Sequence, residues 1–311
     1  MDLIDIPQVH TSEFRPRRLG GEPRVVIGNV DTWAAFGLWQ PDYLKAVAGN
    51  QKVSVRETVG PPRNIYQNLS QGGEILFSQY IDWVLEIANG DDFKDYLRKY
   101  SDVSDITRAI CESGFECSYY LDTKLADFST DLLRDVKTPS WYSVDPVDVI
   151  FWCGVLGTSS GLHSDVTPNC NVQILGHKHF ILFPPSQSRL LYQVPGRTHC
   201  QFDPNIPDFI RFPLARKALG WQCTLHPGQS LYIPVGWFHQ VTVTSGWALN
   251  VNFFWPRPFP QGLITRSLWR ILLWRSWVRL HRIFYQKHNS RCWQLRQGKG
   301  NTHGQMSVRP E

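Results

Sequence analysis

His163-Ser-Asp165-Val-Thr-Pro-Asn169-Cys-Asn-Val-Gln-Ile-Leu-Gly176-His-Lys178-His-Phe-Ile-Leu-Phe183-Pro-Pro185 contains two β-rich runs, Asn169–Leu175 and Lys178–Phe183, divided by a short turn. Ahead of them, His163 and Asp165 stand two positions apart in a β-like context. Strand side chains alternate between faces, so this spacing sets an imidazole and a carboxylate side by side, as two ligands for one metal. Further runs of the same texture flank the stretch: Val147–Val155, Trp221–Leu225, Ser230–Ile233, Phe238–Val243 and Trp247–Trp255. Short runs separated by Gly, Pro, Asn and Ser predict a mainly β sandwich or barrel from about residue 146. One irregular connection, roughly Pro184 to Gly220, is long and rich in Pro and aromatics, the kind of segment that often carries function.

A third ligand is available from His239, in the β-like run Ile233-Pro-Val-Gly-Trp-Phe-His239-Gln-Val. Two imidazoles and one carboxylate on one face of a metal leave other coordination positions open, which suits Fe(II) and oxygen chemistry. The His-x-Asp pair is weak by itself. Ten His and 27 acidic residues produce it by chance, and a solvated turn is the plain alternative. His177 and His179 have no carboxylate near them in sequence and read as sheet-surface or core residues, and His199 reads as a loop residue. Lys178 alone reads as a strand-edge lysine that carries its charge out to water.

The first half mixes helix and strand. Pro23–Gly28 is a short β run, Pro41–Gly49 a short helix closed by Gly, and Gln51–Glu57 alternates like a half-buried strand. The polar stretch from Ser70 to Gly73 predicts a loop. Ser78 can cap a helix reaching Asn89, with Tyr80, Val84, Leu85 and Ala88 on one face, and a further helix is expected from Leu125 to Val136.

At 311 residues and 42% hydrophobic, the chain is too polar for a membrane bundle and too apolar for a disordered polymer. Its net charge of +5 conceals an asymmetry: eleven of the 32 basic residues but only one of the 27 acidic ones lie from Arg257 onward. Residues 1–256 are therefore acidic at −5 and the tail is basic at +10, so the body is no generic nucleic-acid binder. The seven cysteines form no CxxC pair, and the N-terminus has neither a basic region nor an apolar run. Reduced thiols in a cytoplasmic protein are the expectation. Leu263 to Tyr285 is apolar but contains five arginines, a density that excludes an ordinary transmembrane span.

The stretch from His163 to Pro185 closely resembles the metal-binding core of the JmjC/cupin-like Fe(II)/2-oxoglutarate-dependent oxygenases. The resemblance is to the branch of factor inhibiting hypoxia-inducible factor and tRNA wybutosine hydroxylase. Asp203-Pro-Asn-Ile-Pro-Asp208-Phe-Ile-Arg211-Phe-Pro213 and Pro227-Gly-Gln-Ser-Leu-Tyr-Ile-Pro234-Val-Gly-Trp237-Phe-His239 follow in matching order and spacing. Upstream, Glu22-Pro-Arg-Val-Val-Ile-Gly, Trp39 and Asp42-Tyr-Leu also fit, so residues 20–256 are covered.

The resemblance implies a double-stranded β-helix, the jelly-roll or cupin barrel, with N-terminal α/β flanking elements and a C-terminal helical extension. The implied divisions are an N-terminal segment 1–20, the oxygenase domain 20–256 with its barrel core near 146–256, and the tail 257–311. The resemblance puts His163, Asp165 and His239 at the iron-ligand positions and Lys178 at the lysine that pairs with the far carboxylate of 2-oxoglutarate. Ser160, Asn169, Tyr120 and Asn252 fall on further cosubstrate-contact positions, with Tyr119 the alternative to Tyr120. Ser160 stands where Thr is usual, and Gln229 where Asp commonly follows Pro-Gly; neither change removes a metal ligand.

Fe(II), 2-oxoglutarate and O2 are the implied cofactor and substrates, and hydroxylation of a protein side chain is the implied reaction. Hydroxylation of a modified tRNA nucleoside and a non-catalytic cupin-like binding role are the alternatives. Residues 262–288 read as a helix dense in Trp, Leu and Arg, and relatives in this branch imply a homodimer through such a helix. Its arginines are dispersed around the axis, which leaves peripheral membrane contact without support. Gln297 to Glu311 is polar and is expected to be disordered.

Overall fold

The two-residue period of the strands decides which side chains meet inside and which pack outside. The computed structural model describes residues 1–16, 21–28, 30, 32–59, 69–90, 117–142 and 144–256. Strands β1 (Asp2–Asp5), β2 (Gln8–His10) and β3 (Arg24–Ile27) lead into helices α1 (Ala34–Leu38) and α2 (Pro41–Ala48). Then come β4 (Lys52–Val59), β5 (Leu69–Leu76), α3 (Phe77–Asn89), β6 (Cys117–Lys124), α4 (Leu125–Phe128) and α5 (Thr130–Arg134). The second half holds β7 (Asp148–Val155), β8 (His163–Ser164), β9 (Asn169–Leu175), β10 (Lys178–Phe183), β11 (Leu219–Leu225), β12 (Ser230–Ile233), β13 (Phe238–Val243) and β14 (Trp247–Phe254).

These strands form a large sheet in the order β2-β3-β12-β9-β14-β7-β6-β4-β5 and a small one in the order β1-β11-β10-β13-β8. Phe180, Leu182 and Leu225 of the small sheet cluster with Leu231 and Ile233 of the large one, so the two sheets face each other across a shared interior. This is the jelly-roll barrel that the sequence led us to expect. Both outer faces are also covered. Phe151, Cys153, Val172, Leu249, Val251 and Phe253 pack beneath the helical layer of Leu44, Phe77, Tyr80, Leu125 and Leu132. Ile181, Phe183 and Phe238 pack beneath Leu191, Phe202, Phe212 and Ala215 of the 184–220 connection. A strand buried on both faces reads as a nearly continuous apolar run, which is why these strands were legible from sequence. The N-terminal segment joins the two sheets: β1 runs parallel to β11, and β2 runs parallel to β3.

Three local expectations are corrected. Ser70–Gly73 lies within β5 and is not a loop; β5 is the last strand in the order of the large sheet, and its backbone ladder with β4 is a long-range pairing that local composition does not reveal. Ser78 is not the cap of α3, because the helix begins at Phe77 and the Gln79 side chain accepts from the Leu76 N–H at 3.2 Å. The helix expected from Leu125 to Val136 is broken at Ser129, whose backbone is extended and whose hydroxyl accepts from the Leu132 N–H. A serine that bonds the following turn stops one helix and starts the next. The tail, its helix and any homodimer contact fall on residues 257–311, outside the described residues. No helix among the described residues is long and apolar enough to cross a membrane.

Gly176 shapes the turn that delivers Lys178. Its φ is +68°, and a Cβ there would stand 2.1 Å from the Trp247 carbonyl oxygen. Gly176→Ala is expected to lower stability by about 2 kcal/mol or more, from the positive φ and the clash together. A urea titration of the two proteins measures the difference.

Candidate metal centre

His163 and His239 oppose each other in the antiparallel register of β8 and β13, so their side chains leave the same face. Their ring centroids are 4.3 Å apart. Asp165 follows directly after β8; its backbone carbonyl accepts from the Gly236 N–H at 3.0 Å, tying it to the turn before β13. Its carboxylate Oδ2 lies 3.6 Å from His239 Nε2. The ligand atoms of the three residues all fall within 4.8 Å of one another. The two strands thus bring together residues far apart in sequence.

The tautomers suit a metal. His163 Nδ1 lies 2.9 Å from the Gly161 carbonyl oxygen, and His239 Nδ1 lies 3.2 Å from that of Trp237. A carbonyl can only accept, so each Nδ1 carries a proton, which leaves Nε2 as the atom of each ring that can turn to a metal. Burial, then the neighbouring His239, pushes His163 down to about 4, against the pull of Asp165. Neutral imidazoles are what a cation needs. Two nitrogens and a carboxylate oxygen, converging within 4.8 Å, fit a divalent transition metal with open positions.

Lys178 lies inside the barrel, 1% exposed, opposite Leu225 on one side and Val243 on the other. Its ammonium donates to Asn250 Oδ1 and stands 5.7 Å from the centre of the Tyr120 ring. Burial pushes it down to about 7. The plain reading of a lysine snorkelling to water is thereby excluded. Tyr120 is buried and sits opposite Gly154, where an added Cβ would come within 2.8 Å of its ring. The absence of a side chain at 154 makes the space in which Tyr120 approaches Lys178.

The remaining candidates are placed differently. Ser160 Oγ accepts from the Val241 N–H at 3.1 Å and donates to the Gly161 carbonyl at 3.3 Å, so it fixes the turn that presents His163. Asn169 donates to Asp165 Oδ2 at 2.6 Å. Asn252 Oδ1 accepts from Asn250 at 2.5 Å. Asn250 and Asn171 went unnoticed in the sequence, although amides recur at every second position of the buried strands β9 and β14. His199 is on the connection, as expected for a loop residue, but it bridges to His163 with ring centroids 5.9 Å apart and extends the row of imidazoles. His179 lies 3.3 Å from the Thr224 hydroxyl and His177 packs on His226, consistent with sheet-surface roles. Cys153, Cys170, Cys200 and Cys223 are free thiols.

Comparison with known proteins adds an independent finding. The family described as the cupin-like domain matches residues 11–261. Lysine-specific demethylase 8 of Xenopus tropicalis is 26% identical over 264 residues, which make up 80% of this chain and 52% of that protein. A tRNA wybutosine-synthesizing protein 5 of Gallus gallus is 27% identical over 244 residues, 77% of this chain and 71% of its own length. A lysine-specific demethylase of Arabidopsis thaliana is 29% identical over 249 residues, 78% of this chain and 52% of its own length. The chain therefore spans about half the length of these demethylases.

His163 gives a stability prediction. Its native value of about 4 lies below the ordinary 6.5, so the unfolded chain takes up a proton first as pH falls. The metal-free protein is expected to lose melting temperature from about pH 6.5 down toward 4, and His163→Gln to reduce that slope. Thermal melts between pH 7.5 and 5 measure it.

Proposed function

The chain belongs to the cupin-like, JmjC-related family of Fe(II)- and 2-oxoglutarate-dependent oxygenases, and on that premise we propose that it hydroxylates a protein side chain. The observation that carries the reading is the convergence of His163, Asp165 and His239 in the same barrel that buries Lys178. His163, Asp165 and His239 would hold Fe(II) through two Nε2 atoms and a carboxylate oxygen. Bound there, the metal with 2-oxoglutarate and O2 supplies the oxidising chemistry, with succinate and CO2 as co-products.

The rest of the work belongs to this chain's own residues. Gly161 and Trp237 keep the two imidazoles in the tautomer that offers Nε2. Asn169 holds one side of Asp165 and keeps the carboxylate turned toward the imidazoles. Lys178 neutralises the far carboxylate of the cosubstrate, an interaction worth far more inside a barrel than in water. Tyr120, whose ring stands 5.7 Å from the lysine ammonium, offers a further partner beside that carboxylate. The apolar small-sheet face of Phe180, Leu182 and Leu225 shields the site from bulk water.

A protein substrate is favoured because residues 1–256 carry a net charge of −5, which repels nucleic-acid phosphates. The tRNA reading draws on the basic tail and on the relative named for wybutosine synthesis.

Purified protein with Fe(II) and 2-oxoglutarate is expected to release succinate, and His239→Ala to reduce release to background. Failure of any iron-dependent release would favour a binding role without turnover. Lys178→Met is expected to raise the KM for 2-oxoglutarate about 10- to 100-fold, the range for a lost charged hydrogen bond. Mass spectrometry of peptides and of tRNA nucleosides, with and without the protein, separates the substrates by which pool gains an oxygen.

The lysine also predicts a pH dependence. A dicarboxylate binds the charged ammonium, whose native value in the free protein is about 7. Above pH 7 binding must take up a proton, so affinity is expected to fall as pH rises. Calorimetry at pH 8 in buffers of different ionisation heat detects the uptake.

A further inference from the structure

Three interior amides, Asn250, Asn171 and Asn169, are oriented in one direction. Lys178 donates to Asn250 Oδ1, and Asn250 Nδ2 donates to Asn171 Oδ1 at 3.3 Å. Asn171 Nδ2 donates to Asn169 Oδ1 at 3.0 Å, and Asn169 Nδ2 donates to Asp165 Oδ2 at 2.6 Å. A chain of donors thus runs from an ammonium to a carboxylate through three amides. Asn250 Nδ2 also donates to Asn252 Oδ1, so turning the Asn250 amide over would break its bonds to Lys178, Asn171 and Asn252 together.

We propose that Asn171 and Asn250 are positioning residues, forming with Asn169 a one-way hydrogen-bond relay that sets Lys178 and Asp165 together. The proposal rests on the oxygenase reading above and adds two residues to it. Asn250 occupies one of the three N–H groups of Lys178, leaving two to meet a carboxylate. Asn169 holds one side of Asp165. Asn171, which is 3% exposed, connects the two. The charges at the two ends polarise every amide in the same sense, and hydrogen bonds aligned in this way strengthen one another in a low-dielectric interior. Volume alone gives no reason for amides here: apolar residues at 171 and 250 would fill the same space, but would leave Lys178 and Asn169 without these partners.

Asn171 makes the discriminating test because it bonds neither the lysine nor the three candidate ligands. Mn(II) is the metal probe and 2-oxoglutarate the cosubstrate probe, both on the full chain. Asn171→Leu is expected to weaken Mn(II) binding, measured without cosubstrate, about 3- to 10-fold. It is expected to raise the KM for 2-oxoglutarate by a similar factor, with kcat within about two-fold. Asn250→Leu is expected to raise the KM about 10-fold, to steepen its rise above pH 7, and to change Mn(II) affinity less than Asn171→Leu does. Asn171→Ala substitutes if the leucine variant does not fold.

A lower melting temperature with both constants within two-fold of wild type would reduce Asn171 to a structural residue and overturn the relay. Wild-type protein that binds Mn(II) but not 2-oxoglutarate would overturn the oxygenase reading. In that case Mn(II) affinity alone still tests the relay, and an unchanged affinity in Asn171→Leu overturns it.

Discussion

An ammonium group buried inside a β-barrel is the constraint on which the rest of this structure depends. Lys178 cannot keep a charge among Phe180, Leu182 and Leu225 unless something polar faces it. The large sheet supplies that polar face with Asn169, Asn171, Asn250 and Asn252, while the small sheet remains apolar around the lysine. Around the lysine the barrel interior is therefore two-sided, with amides of β9 and β14 on one wall and the apolar groups of β10 and β11 on the other. Gly154 and Gly176 exist to make room for this arrangement, one by admitting the Tyr120 ring and the other by turning the chain into β10.

The second-half strands were readable because their burial on two faces leaves an apolar signature that polar turns interrupt. Asn169–Leu175, Lys178–Phe183, Ser230–Ile233 and Phe238–Val243 match the observed strands at both ends. The triad was readable as a candidate pattern from the residues, and the resemblance then put His163, Asp165 and His239 together at the iron-ligand positions. Neither propensity nor period carries the pairing of β8 with β13, which is a tertiary fact. Ser129 and β5 were misread for a related reason: a side-chain cap and an edge ladder both depend on partners that a local window does not contain.

The roles of the individual polar residues were the least legible. Ser160, Asn169 and Asn252 stand at positions expected to meet the cosubstrate, and within the protein they hydrogen-bond to backbone, to Asp165 and to Asn250. Residue type and spacing show that a polar group faces inward; they do not show which of several inward partners it selects. The alternation of amides in β9 and β14 was visible in the sequence all along. Its meaning depends on the register that places Asn252 opposite Asn171.

The clasp formed by β1 and β2 has a consequence for how the protein is made. Asp2 pairs with Leu219 and Gln8 with Val25, so one end of a short leading segment finds its neighbour almost at once while the other waits for a strand synthesised far later. Closure of that edge is a high contact-order event, and such events come late and slowly. On the ribosome β1 therefore waits for its partner strand until β11 has emerged, long after β2 can meet β3.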